Sequence, residues 1–166
     1  MQDKSEYISA DRTRLAKLLN IPIIAKVPDY FPPNTLSAQR ALCTIQSNHP
    51  DQLPAALEAL YHAFWNEGLH IGEPEVVATA LAKVFGDERA NELVAGASRP
   101  EVKKLLNGNT EAALEAGVFG VPFFVARIAE GKEEVFFGVD RLGMVADFLG
   151  LGRGEKGQSG GVRALL

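Results

Sequence analysis

The groups in this sequence with chemistry open to them are one thiol, three imidazoles, a carboxylate ahead of a helical pattern, and a proline preceded by a glycine-framed valine. Cys43 is the sole cysteine, which excludes an internal disulfide and any Cys-x-x-Cys redox pair. It lies in ALCTI, where a free thiol behaves as a small hydrophobe and is read as buried structure. His49, His62 and His70 have no metal-ligand spacing, since eight residues separate the last two on different segments. Asp140 precedes Leu142, Val145, Ala146 and Leu149 at helical spacing, so it stands where a helix N-cap would. Pro122 removes a backbone donor and holds Val121 extended. From the residues alone, Val121-Pro122 is either a rigid turn feeding a strand or a length of main chain open to pairing with a ligand.

The elements that must position these groups follow from pattern. Phe123 to Ile128 and Glu133 to Phe137 are rich in β-branched and aromatic residues and read as two strands. Glu130, Gly131 and Lys132 make the turn between them, and Gly138 ends the second. Upstream, Asp3 with Glu6 has the form of a capping box for a first helix, with Ile8, Leu15, Leu18 and Leu19 as its apolar stripe. Asp11, Arg12 and Arg14 read as its solvated charged face. Asn20 and Pro22 end it, Ile21 to Ile24 is a short extended segment, and Val27 to Asn34 is a proline-broken loop.

Helical patterns then run to Gly117. Leu36 to Ser47 follows Thr35 as its cap, and Asp51 to Glu67 tolerates Pro54 in its first turn. Phe64 and Trp65 pack the helical core. A fourth helix starts at Pro74 and stops at Gly86, and Asp87 to Ala97 is a fifth. The last runs from Ser98 and Pro100 to Ala116, with Gly108 as a point of bending or division. The tail 150–166 holds six glycines and little to bury, and reads as disordered. Its final Ala-Leu-Leu is only faintly like the Ser-Lys-Leu peroxisomal address.

Composition bounds the rest. The 166 residues suit one domain, or one core with an insertion, at 46% hydrophobic and 23% charged. A net charge of −4 argues against nucleic acid as a partner. The longest apolar run, Ala116 to Ala126, is far shorter than the roughly 20 residues of a membrane span, and no targeting peptide is visible.

The ordered set GVFGVP, two strands and GVDR resembles the second half of a thioredoxin fold, and more specifically kappa-class glutathione transferases. These stand beside the bacterial-type disulfide oxidoreductases and the 2-hydroxychromene-2-carboxylate isomerases. KSEYISADRTRLAKLLNIPI, LSAQRAL and GNTEAALEAGVFGVP extend the resemblance over about Lys4 to Leu149. It implies an α/β chain, predominantly helical: a partial thioredoxin-like fold with a large all-helical insertion. Residues 1–34 and 110–149 would form the thioredoxin-like core, 35–109 the insertion and 150–166 the flexible tail.

The resemblance also implies a cis peptide at Pro122, glutathione as the substrate, a small electrophile or peroxide as its reaction partner, and no metal. Val121 N–H and C=O would pair with the cysteinyl part of glutathione. The Asp140 carboxylate would hold the γ-glutamyl ammonium, Val139 would make a backbone contact, and Lys4 would meet the glycyl carboxylate. The serine whose hydroxyl faces the sulfur in this family lies in a stretch that would precede Met1. The chain is therefore expected to be shortened at its N-terminus, with no catalytic residue of its own and weak or absent transferase activity. Isomerase chemistry and a non-catalytic binding or assembly module are the alternatives. A homodimer is expected; the open edge of Phe123 to Ile128 would join two copies, pair with a local segment, or leave the protein poorly stable. A soluble intracellular protein is also expected, mitochondrial or peroxisomal by resemblance and cytoplasmic otherwise.

Overall fold

A computed structural model of the chain describes residues 4–151. The Asp3 capping box and the glycine-rich tail beyond Leu151 lie outside the described residues. The chain divides into two compact units, Met1–Asn109 and Thr110–Leu166.

The first unit is helical. In order come α1 (Lys4–Leu18), α2 (Leu36–Asn48), α3 (Leu53–Trp65), α4 (Pro74–Phe85), α5 (Asp87–Gly96) and α6 (Pro100–Glu115), the last of which continues into the second unit. A 3₁₀ turn, Pro50–Gln52, joins α2 to α3. Its core is made where α2 to α5 meet, by Ala41 and Ile45, Ala56, Ala63 and Phe64, Val77 and Leu81, and Ala90 and Leu93. The many alanines at these facing positions let the helices approach closely, because interaxial distance follows the side chains at the contact. Proline in the first turn of α3 and α4 occupies positions whose N–H lacks an intrahelical acceptor in any case. Gly86 ends α4, giving its N–H to Ala82 O at 2.9 Å, and accepts the Ala90 N–H that opens α5 at 3.0 Å.

Four details depart from the sequence reading. Thr35 makes no side-chain cap; Asn34 Oδ1 instead accepts the Leu36 N–H at 3.1 Å, because a side chain one residue earlier already reaches that donor. Gly108 does not divide α6, whose neighbouring turns supply good helix formers on both sides. The stripe on α1 is not buried: Ile8 and Leu18 are about half exposed. Arg12, read as solvated, is the group that fastens this helix. Its Nη2 donates to Ala25 O at 2.8 Å and its guanidinium lies 5.3 Å from the centre of the Trp65 ring. Arg12 Nε and Nη1 are enclosed without acceptors on the side of the aromatic ring, an attraction open to a weakly hydrated guanidinium. Trp65 is half-buried, with Phe64 edge-on to it at 4.9 Å and Phe31 tilted at 6.0 Å.

The second unit contains the end of α6, then β1 (Phe123–Arg127), β2 (Glu133–Phe137), a 3₁₀ turn (Val139–Arg141) and α7 (Leu142–Phe148). The strands pair antiparallel, Phe123 opposite Phe137 and Arg127 opposite Glu133. The turn is closed by Gly131 N–H to Ile128 O at 3.0 Å and Ile128 N–H to Lys132 O at 3.1 Å. Phe124, Ala126 and Phe136 share the face toward α7, where Phe136 meets Phe148 at 6.1 Å and Ala126 is buried. Among the described residues no helix is long and apolar enough to cross a membrane.

Leu81 is fully enclosed in the helical core, so Leu81→Ala should cost about 2–5 kcal/mol through lost contacts and the cavity left behind. Urea unfolding should show a lower midpoint with an unchanged slope, whereas the exposed Leu114→Ala should shift stability by less than about 0.5 kcal/mol.

Candidate functional site

The hairpin carries its pairing one step beyond its last residue pair. Gly138 N–H donates to Pro122 O at 3.0 Å, past the Phe123–Phe137 pair. This bond ties the loop before β1, which carries Val121, to the loop after β2, which carries Val139 and Asp140. The Val121-Pro122 peptide is cis, as is Phe31-Pro32 in the helical unit. Val121 is 84% exposed, and neither its N–H nor its C=O has a backbone partner among the described residues. A free donor and acceptor on one exposed residue is what an added strand of one or two residues needs.

Asp140 is not the N-cap of α7. It sits inside the 3₁₀ turn, α7 begins at Leu142, and no side chain caps that helix. The interposed turn explains the difference, since helical periodicity shows where α7 packs but not how the chain enters it. Asp140 Oδ2 instead accepts a hydrogen bond from Arg141 Nη1 at 2.6 Å, both side chains about half exposed. Gly138, at φ 98°, makes this possible: a Cβ there would run into the Asp140 carboxylate, and its backbone is one that L residues rarely adopt. Arg141 is a candidate that the sequence reading missed, although the opposite charges side by side in GVDR were its signal. Val139 is 45% exposed. Lys4 lies in the helical unit, exposed in the first turn of α1.

The remaining candidates have structural partners. Cys43 is buried on α2, where burial pushes its thiol above the ordinary range and the Asn109 amide, 3.6 Å from Sγ, offsets this only in part. His62 Nδ1 is 3.2 Å from Glu67 Oε1, which Lys83 also reaches at 3.0 Å. His70 stacks on Tyr30 at 4.0 Å and pairs with Glu73 at 3.3 Å, and His49 Nε2 lies 2.9 Å from Arg89 Nη2. Among the described residues no three His, Cys, Asp or Glu side chains converge as a metal site.

A family described as the DSBA-like thioredoxin domain matches residues 1–150. The chain belongs to that family. Within it, human "Glutathione S-transferase kappa 1" is 32% identical over 157 residues, covering 89% of this chain and 66% of that protein. A "2-hydroxychromene-2-carboxylate isomerase" of Pseudomonas putida is 27% identical over 147 residues, again 89% and 66%. The chain thus spans about two thirds of the length of the curated relatives it matches. The DSBA-like fold is also seen in "Cytosolic disulfide reductase DsbM from Pseudomonas aeruginosa", at TM-score 0.63 and 20% identity, covering 87% of this chain and 72% of that one. The same protein solved "with GSH" gives 0.61 at 19% identity, covering 84% and 70%. These likenesses confirm the expected thioredoxin-like, helix-rich α/β class.

The thiolate is the reactive form of cysteine, so burial and a raised pKa both protect Cys43. Iodoacetamide at pH 8 should label the folded protein at least about tenfold more slowly than the urea-unfolded chain. Equal rates, followed by mass spectrometry, would show the thiol to be open to solvent in the native state.

Proposed function

We propose that this chain carries the peptide-docking side of a glutathione-using site, in an enzyme that conjugates glutathione to small electrophiles or reduces peroxides with it. The observation that carries this reading is the Val121 main chain, exposed and without a backbone partner beside Pro122. The cysteinyl residue of the tripeptide pairs there as a short added strand. Its γ-glutamyl end is a zwitterion, and Asp140 with Arg141 presents opposite charges side by side. The ammonium goes to the Asp140 carboxylate and the carboxylate to the Arg141 guanidinium, exchanging one exposed ion pair for two charge-assisted ones. Val139 adds a backbone contact.

The human relative named a kappa glutathione transferase and the DsbM structure solved with GSH support the choice of tripeptide. Isomerisation of an aromatic acid is the second reading, favoured by the Pseudomonas putida relative of that name. We further propose that two copies pair through the outer edge of β1. That strand has β2 on one side only among the described residues, and a row of open N–H and C=O groups is a template for another strand.

Calorimetric titration with glutathione should give saturable binding, and Asp140→Asn should weaken it about tenfold or more, the usual scale for a lost charged hydrogen bond. No heat at millimolar glutathione would sink the docking reading. Turnover of 1-chloro-2,4-dinitrobenzene above the buffer rate would separate an enzyme from a binding module. Light scattering tests the pairing of copies: the wild type should be dimeric and Val125→Lys, a charge on that strand, monomeric. A wild-type monomer at all micromolar concentrations would reject it.

A further inference from the structure

The faces of α2 and α3 do not close completely on one another. Thr35, Ala38, Gln39 and Leu42 follow the i, i+3, i+4, i+7 spacing of one helix face, counted from the residue before α2. Leu57, Leu60 and Tyr61 stand in the same relation on α3, and Ile71 joins them from the loop after that helix. Between these faces lies a cavity of about 90 Å³. The single methyl group of Ala38 leaves room where its neighbours on both faces carry larger side chains.

The walls and the mouth of this cleft differ in chemistry. Ala38, Leu42, Leu60 and Ile71 are buried members of the helical core, so the inner surface is apolar and held by packing. Thr35, Gln39 and Tyr61 bring a hydroxyl, an amide and a phenol to the same cleft. Thr35 makes no side-chain cap to α2, and Gln39 and Tyr61 are exposed, which leaves these polar ends open to a ligand. None of the side chains that line the cleft is charged. Apolar walls with a few convergent polar groups are the usual form of a small-molecule site. The cleft belongs to the helical unit, and the glutathione reading plays no part in it.

Size and polarity together define the occupant. An enclosed apolar cavity of about 150 Å³ holds benzene. This one is smaller and open beside Gln39 and Tyr61, so it takes a single ring edge-first and leaves one side of that ring at the mouth. A hydroxyl placed there both gives and accepts a hydrogen bond, as Thr35 and Gln39 do. A charged group would leave water and find no counter-ion. We propose that the cleft between α2 and α3 is a binding site for small uncharged phenols, held ring inward with the hydroxyl at Thr35 and Gln39.

Titration of the methyl-labelled full chain with phenol, toluene and benzoate, followed by NMR, tests it. Phenol should shift the Leu42, Leu60 and Ile71 methyl signals saturably, at millimolar affinity, and leave those of the exposed Leu114 in place. Toluene and benzoate should bind about threefold or more weakly than phenol. Thr35→Val and Gln39→Ala should each weaken phenol about threefold and leave toluene unchanged, the scale of one neutral hydrogen bond. Circular dichroism would verify their folding, and should either variant misfold, the wild-type preference for phenol over toluene still decides. Absence of saturable shifts, shifts shared equally by Leu114, or unchanged phenol binding in both folded variants would overturn the site. If the same methyl signals move with protein concentration alone, a second copy covers the cleft and the phenol reading falls.

Discussion

One main-chain hydrogen bond, Gly138 N–H to Pro122 O, joins the two loops of the proposed site. Without it, β1 and β2 would still pair from Phe123 to Arg127, but Val121 and Asp140 would lie on segments free to splay. Gly138 takes a backbone few residues adopt, and the Asp140 carboxylate lies back against it and within reach of Arg141. Position and charge at this place are therefore set by the backbone first. The side chains act on a frame that is already fixed.

The helical unit follows a different logic. Its centre is held by alanines and a few large aliphatic side chains, Ile45, Val77 and Leu81, enclosed at the meeting of α2 to α5. Buried polar side chains are absent from this core among the described residues. Cys43 fits the pattern as a small apolar filler. The helical core is thus apolar, while the Val121 backbone groups in the loop before the hairpin remain available.

Much of this was legible in the sequence, and for definite reasons. The helices α2 to α6 announce themselves through 3.6-residue periodicity and proline or glycine at their ends. The strands announce themselves through Phe and Val runs around Gly131. The Val-Pro loop was legible through its glycine frame. What was not legible depended on contacts between residues distant in sequence or on local geometry without periodicity. Thr35 looks like a cap until Asn34 takes the donor first. Asp140 looks like a cap because a 3₁₀ turn ahead of α7 leaves no trace in spacing. Arg12 looks like one more surface charge, since only the fold brings Trp65 under it. The exposure of α1 was missed for the same reason: a stripe of leucines states a preference, and another segment must be present to satisfy it.

The setting of Arg12 bears on how this chain can vary. A planar guanidinium lies over an indole, with two nitrogens enclosed and no oxygen to receive them. Lysine carries the same charge but is a compact, strongly hydrated ammonium that cannot lie flat, so it is a poor replacement there. Positions 12 and 65 should accordingly drift in concert among descendants of this sequence, as cation with ring or as two aliphatic residues, and seldom as one without the other.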